Sequence, residues 1–250
     1  MTQKSKFSFN LIQLDEIDST NNYLKQLSRT KELDEFTVVT ALYQTAGKGQ
    51  RGNYWESEKN MNLMFSLLAK PYALPIKYQF LLSEVVSLAL LQTLSQFTDN
   101  ISIKWPNDIY WKDKKISGIL IEHDLMDDKI SQSILGVGLN VNQVSFYSDA
   151  PNPISLAQIT NKTLPLDDIL NLFILRFKEL YNLLSTNQWN KIEALYIEHL
   201  YRSKGFHLYA DQHGVFSAKL KTVDSDGTFR LTDEQGKERA YLFKEVQYII

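Results

Sequence analysis

Apolar residues return along this chain in two rhythms. Short runs rich in β-branched and aromatic side chains, at 10–14, 36–42, 61–68, 101–105, 116–122 and 130–142, have the length and polar bounds of strands. Elsewhere apolar positions return every three or four residues, which predicts helices over 21–28, 75–97, 155–160, 166–184 and 189–201. In the first helix Tyr23, Leu24 and Leu27 form the buried side. In the second, Phe80, Leu81, Val85, Leu88, Leu91 and Leu94 read as a core stripe, with Pro75 in the first turn. Residues 15–20 turn the chain, and Asp18-Ser19-Thr20 reads first as an N-cap, with hydroxyls offered to a ligand as the alternative. After Pro106-Asn107-Asp108, residues 109–111 resume the strand begun at 101, and 116–122 returns as its hairpin partner. Lys112, Lys114 and Lys115 read as a solvated turn between them.

The rhythm changes near Gly205. Strand-length runs at 207–209, 216–220, 228–231 and 240–243 are separated by Asp224-Ser225-Asp226-Gly227 and Asp233-Glu234-Gln235-Gly236, both good turns. Residues 1–200 therefore read as a mixed α and β unit. Residues 201–250 read as a small, barrel-like β module that leans on it for stability.

Composition narrows the function. The chain has 250 residues, 44% hydrophobic, with a net charge of −2. That balance does not suggest nucleic-acid binding. It has no cysteine, which removes disulfides, thiolate zinc ligands and thiol nucleophiles. The four histidines are scattered without ligand spacing, so a catalytic zinc or a serine–histidine triad is not expected. No apolar signal core opens the chain and no run is long enough to span a membrane. A cytoplasmic protein with no membrane partner is the expectation.

One polar loop stands out between two apolar runs, from Gln44 through Gly47, Lys48, Gly49, Gln50, Arg51, Gly52 and Asn53 to Trp55. Glycines let backbone N–H groups converge on an anion, Lys48 and Arg51 add charge, and Trp55 offers a flat face. The spacing mimics a dinucleotide fingerprint, but no helix-period segment follows, and a Walker A loop also fails because no Ser or Thr follows Lys48. Lys104, wedged between Ile103 and Trp105-Pro106, is a directed charge rather than a free one. Gly136 and Gly138, with Asn140 and Asn142, interrupt an apolar strand. Either a bulge or close approach by another group explains them.

Four segments, in this order, resemble the biotin protein ligase family: Asp18-Ser19-Thr20-Asn21, the Gln44-to-Trp55 loop, Lys104-Trp105-Pro106-Asn107-Asp108 with Lys115-Ile116-Ser117-Gly118-Ile119-Leu120, and Gly136-Val137-Gly138-Leu139-Asn140. The resemblance covers essentially the whole chain. It implies an α+β fold, a mixed, mainly antiparallel sheet flanked by helices as in class II aminoacyl-tRNA synthetases, with a small C-terminal SH3-like β-barrel. It implies activation of biotin by Mg-ATP (so Mg2+ as cofactor) to biotinyl-5′-adenylate, then transfer to a lysine of a biotin carboxyl carrier protein. Ser19, Thr20 and Gln44 would bond the ureido ring, and Asn21, Gly47, Lys48, Gly49, Gly118 and Gly138 would line the biotin pocket. Lys104 would sit against the carboxylate and α-phosphate and, with Arg51, carry the catalysis. Lys48, Gln50, Arg51, Asn53, Trp55, Asn107 and Asn140 would meet ATP. Asp108 would orient Lys104 or the incoming lysine, and no metal ligands are identified.

The chain departs from the family at Gln50, usually Arg, and at Lys48, often Arg. A glutamine cannot pair with the adenylate, so weaker retention of the intermediate and leaky lysine labelling are expected. The pattern begins at Asp18, which leaves no room ahead of it for the DNA-binding domain that some members carry. The family includes monomers and dimers, and a homodimer is consistent with the resemblance. The alternatives are a lipoate–protein ligase, which fits the loop and Lys104-to-Asp108 less well, and a non-catalytic biotin-binding module, which retention of Lys104 and Arg51 disfavours.

Overall fold

The computed structural model describes residues 9–49, 54–71, 74–148 and 152–250. The strand-period segments form one seven-stranded sheet from β1 (Leu11–Ile17), β2 (Val38–Gln44), β3 (Leu63–Ala69), β4 (Ile101–Lys104), β5 (Asp108–Trp111), β6 (Lys114–Met126) and β7 (Lys129–Leu139). Their order is β1-β2-β3-β7-β6-β5-β4. Only β1 and β2 run parallel, and every other neighbouring pair is antiparallel. The mixed, mainly antiparallel sheet of an α+β fold is therefore present.

Period-two alternation divides the sheet's faces. Leu63, Phe65 and Leu67 of β3 and Leu135, Val137 and Leu139 of β7 join the large core. There they meet α2 (Phe80–Leu94), α4 (Leu166–Ser185) and α5 (Trp189–Glu198), and Phe65 packs on Phe173 with ring centres 4.9 Å apart. The intervening Leu68 and Ile134 face the other way and pack with Val39 against Leu24 of α1 (Thr20–Thr30). α1 covers part of its face, with Asn21 over Gly136 of β7, while Gly118 of β6 and Gly138 of β7 lie against Trp55. The short α3 (Leu156–Thr160) starts from a reciprocal capping box between Ser155 and Gln158.

Three sequence expectations change. The first strand does not turn at 15 but pairs with β2 through Ile17, because its parallel partner continues to Gln44. Residues 108–111 do not resume β4. The chain reverses at Pro106-Asn107, after a cis Trp105–Pro106 bond, and β5 pairs back antiparallel on β4. α2 is not a one-sided stripe: twelve of its fifteen residues are buried. The sheet lies on one side of it and α4 and α5 on the others. Each buried Leu or Val there contributes about 1.5–3 kcal/mol. No helix among the described residues is long and apolar enough to cross a membrane.

The last segment forms a separate five-stranded antiparallel sheet from β8 (His207–Asp211), β9 (Gly214–Val223), β10 (Phe229–Asp233), β11 (Glu238–Tyr241) and β12 (Gln247–Tyr248), in the order β11-β10-β9-β8-β12. Its turns close at Gly227 and Gly236, both at positive φ, as the Asp-rich tetrapeptides predicted. It leans on the large sheet through Trp105, which stacks on Phe229 at 4.9 Å and donates its indole N–H to Gly227 O at 2.9 Å.

All-round burial of α2 leaves one group in a costly place. Glu84 is 1% exposed and its Oε2 has no partner. Burial, with a smaller push from Glu193, raises its carboxyl from 4.5 to about 8. A raised folded-state value means that Glu84's contribution is fully present below pH 4.5 and is lost as pH rises toward 8. Between pH 4.5 and 7 that loss is on the order of 3 kcal/mol. Glu84→Gln is expected to flatten the fall in stability over this window and to be more stable than wild type at pH 8. Urea unfolding at several pH values checks it, and parallel curves for both proteins would refute it.

Candidate functional site

Strand register builds the site. Met64 of β3 lies opposite Gly138, Gly138 opposite Gly118, Gly118 opposite Asp108, and Asp108 opposite Lys104. Directly paired residues of antiparallel strands point to the same face. The row therefore runs from an apolar side chain, across two missing ones, to a carboxylate and an ammonium. In the next row Ser66, Gly136 and Leu120 are paired.

The missing side chains admit other parts of the chain. A Cβ at Gly136 would lie 2.2 Å from Asn21 Oδ1, and one at Gly138 would lie 2.4 Å from the Trp55 indole. Close approach, not a bulge, is thus the reason for both glycines on β7. Asn21 is held on this floor by Ser66 Oγ, which donates to its Oδ1 at 2.5 Å. Its amide donates to Leu120 O and to Glu122 Oε2. Burial works to raise the Glu122 carboxyl, but hydrogen bonds from Lys25 and Asn21 overcome it and hold it below its ordinary value.

Ser19 and Thr20 are buried at the start of α1, yet the cap expected of them is not made. Ser19 occupies the N-cap position without a side-chain cap bond. Gln44, from the end of β2, supplies the acceptor instead. Its Oε1 takes the Thr20 backbone N–H at 2.7 Å and the Thr20 hydroxyl at 3.1 Å. The polar loop then leaves β2. Its base is closed where Trp55 N–H donates to Gly47 O and Lys48 bridges to Tyr54. Lys48 is exposed and donates to Asn22 Oδ1 at 2.7 Å. Gln50, Arg51 and Asn53 lie outside the described residues.

Between these walls is a cavity of about 60 Å3, lined by Ser19, Thr20, Asn21, Gln44, Lys48, Gly49, Trp55, Asn107, Asp108, Lys115, Gly118 and Gly138 among others. Pockets for small organic ligands run to roughly 300–1,000 Å3, and here the indole on Gly138 fills part of the floor. The Trp55 Nε1 is buried there without a partner among the described residues. A second, larger cavity of about 750 Å3 shares Gly49, Trp55, Asn107, Asp108 and Lys115 with the first and extends to Lys104, Tyr110 and the C-terminal sheet. Gly47 sits behind the lining, against Gln44 and Trp55. Asn140 lines neither cavity, and its side chain donates to Ile154 O.

Lys115 corrects the sequence reading. It is not in a solvated turn: its ammonium pairs with Asp108 at 2.7 Å and lies over the Trp55 ring at 5.8 Å. Counted by twos from Gly118, it should face away. A register shift between Ile109 and Tyr110 brings Lys115 opposite Tyr110 and so turns it onto the site face. Alternation alone carries no sign of such a bulge. Lys104 is half-buried, 3.2 Å from Tyr110 Oη. Burial lowers its affinity for the proton, Asp108 works against that, and Lys115 and Arg202 reinforce it. Two cations therefore converge beside the glycine floor, with one carboxylate between them.

Residues 14–140 match the family described as Biotin/lipoate A/B protein ligase. The chain is 29% identical over 238 residues to the bifunctional ligase/repressor BirA of Bacillus spizizenii, covering 92% of this chain and 72% of that protein. It is 30% identical over 128 residues to the biotin–[acetyl-CoA-carboxylase] ligase of Mycobacterium tuberculosis, covering 49% and 45%. Among solved structures it superposes on the Aquifex aeolicus biotin protein ligase in complex with biotin and ATP. The TM-score is 0.78 at 27% identity, over 97% of this chain and 100% of that one.

The indole contact predicts a spectroscopic result. Gly138→Ala should force Trp55 off the floor and make its fluorescence more accessible to acrylamide, an effect lost on a Trp55→Phe background. Equal quenching of the Gly138→Ala and wild-type proteins would refute the contact.

Proposed function

The chain belongs to the Biotin/lipoate A/B protein ligase family, and we propose that it joins biotin to a lysine of a biotin carboxyl carrier domain at the expense of ATP. One observation supports this above the rest. Hydrogen-bonding groups (buried Ser19 and Thr20, with half-buried Gln44) and a pair of cations (Lys104, Lys115) line two adjoining cavities that share Gly49, Trp55, Asn107, Asp108 and Lys115. Biotin has the matching polarity, with a ureido ring at one end and a carboxylate at the other.

Two anions must meet in the first step, the biotin carboxylate and the α-phosphate. The carboxylate oxygen attacks phosphorus, the bond to the β-phosphate breaks, and pyrophosphate leaves. Lys104 and Lys115 are positioned to screen that repulsion in a partly desolvated setting, where fixed charge acts most strongly. In the second step the acceptor lysine, as the free amine, attacks the acyl carbon of the mixed anhydride. An amide forms, AMP departs with the anhydride electrons, and the amine proton is lost to solvent or to a nearby base. Asp108 pairs with Lys115 and orients it.

In this reading Ser19, Thr20, Asn21, Gln44, Gly47, Lys48, Gly49, Gly118 and Gly138 surround biotin. Lys48, Gln50, Arg51, Asn53, Trp55, Asn107 and Asn140 belong to the nucleotide side. Lys115 joins Lys104 and Arg51 as a reacting-centre cation. Among the described residues no three carboxylate or imidazole side chains are grouped for a metal. Mg2+ would arrive on the triphosphate, since this ion is commonly held by phosphates, water and one or two carboxylates. Residues 1–200 act as the catalytic unit and 201–250 as its appendage, and the compartment implied is the cytoplasm.

Incubation with biotin, Mg-ATP and a carrier domain should add one biotinyl group, read by intact mass. Modification by lipoate in preference to biotin, under direct competition, would favour the lipoate ligase instead. Biotin binding with no pyrophosphate release would leave only a binding module. Lys104→Ala is expected to slow biotin-dependent exchange of pyrophosphate into ATP by about 100-fold or more while biotin still binds. Exchange at near wild-type rate would remove Lys104 from the assignment.

A further inference from the structure

We infer that the ring of Tyr248, in the last strand of the chain, is a positioning residue for Lys104, and that the C-terminal sheet thereby completes the reacting centre. The inference rests on the role of Lys104 in the function proposed above.

Lys104 ends an edge strand, where a long side chain has many rotamers open to it. Its neighbour Asp108 gives its carboxylate to Lys115, and among the described residues Lys104 makes no salt bridge. Its ammonium donates to the Tyr110 hydroxyl and faces the Tyr248 ring instead. It lies 4.9 Å from the centre of the Tyr110 ring and 5.1 Å from that of Tyr248, and 3.2 Å from Tyr110 Oη. The negative face of a ring attracts a cation without cancelling its charge. A carboxylate in the same place would neutralise the charge that an incoming carboxylate and phosphate need.

The Tyr248 hydroxyl does not explain the residue's presence, because it is shut off from solvent and has no partner among the described residues. The ring is what the site uses, and it is firmly held. It packs on Tyr209 at 5.2 Å, Tyr201 at 5.8 Å and Phe229 at 6.0 Å. β12 pairs with β8 at Tyr209, and Ile249 N–H continues the ladder to Leu208 O. Arg202, just after the helical layer, staples both strands by donating to Leu208 O and Ile249 O. The next residue along from Lys104 is anchored to the same sheet, since Trp105 stacks on Phe229 and donates to Gly227 O. Two consecutive residues of the Lys-Trp-Pro-Asn-Asp segment thus take their positions from the last fifty residues of the chain.

A cation held by a ring face can be weakened without changing shape. In the full chain, Tyr248 would be replaced by Phe and by Phe carrying one, two or three ring fluorines, each introduced by stop-codon suppression. Phe should exchange pyrophosphate into ATP within about two-fold of wild type, and the trifluoro ring about ten-fold more slowly, with the others graded between. Biotin affinity measured by calorimetry without ATP should stay constant across the series. Tyr248→Leu, which keeps apolar bulk, should fall with the trifluoro protein, and thermal melting reports whether it is folded. A flat fluorination series overturns the inference, and so does a parallel loss of biotin affinity, which would mark Tyr248 as merely structural. Absence of biotin-dependent exchange in the wild-type chain overturns the proposed function and this inference with it. An active wild type with a flat series overturns only the role of Tyr248.

Discussion

A cleft on a sheet exists only where side chains are missing, and here two neighbouring strands omit them in register. Gly118 and Gly138 pair directly, and Gly136 continues the gap along β7. Everything in the site is placed relative to that floor. Asn21 descends onto Gly136, Trp55 onto Gly138, and the cations stand where the row regains side chains at Asp108 and Lys104. A methyl group at either β7 glycine would collide with the group above it, so this floor tolerates no ordinary side chain in the arrangement seen.

The floor needs walls that do not move when a ligand arrives. One wall is a chain of hydrogen bonds from Gln44 through Thr20 and Ser66 to Asn21 and Glu122, crossing from β2 to β6 by way of α1. The opposite wall carries the charges, and its electrostatics are tense. Asp108 pairs with Lys115, Lys104 is left with only the longer-range pull of that carboxylate, and burial works against the Lys104 charge. An anion placed between the two ammonium groups would relieve that tension. This is a physical reason to expect carboxylate or phosphate there, independent of any likeness to other proteins.

Trp55 sits where packing, not sequence chemistry, puts it. Sequence chemistry offered it as a flat face for a ring, and the resemblance put it beside the nucleotide. In this structure its indole lies on the glycine floor, with Nε1 unpartnered among the described residues, and leaves a cavity too small for a substrate of biotin's size. A buried N–H without an acceptor costs free energy.

The sequence by itself determined the elements and most of the chemistry. Short apolar runs with polar bounds marked the strands, the helical period marked α1 and α4, and the glycines of β7 signalled either a bulge or close approach. The order of four short segments pointed to the family that the comparisons then showed. Local pattern could not reveal that β5 folds back on β4, because strand period is the same in either direction. Nor could it show that a bulge turns Lys115 inward, since one extra residue reverses which face a side chain takes. That Glu84 is buried on all sides and that Tyr248 reaches Lys104 from the far end of the chain were decided by packing alone. Those contacts join residues over a hundred positions apart, and periodicity carries no information across such distances.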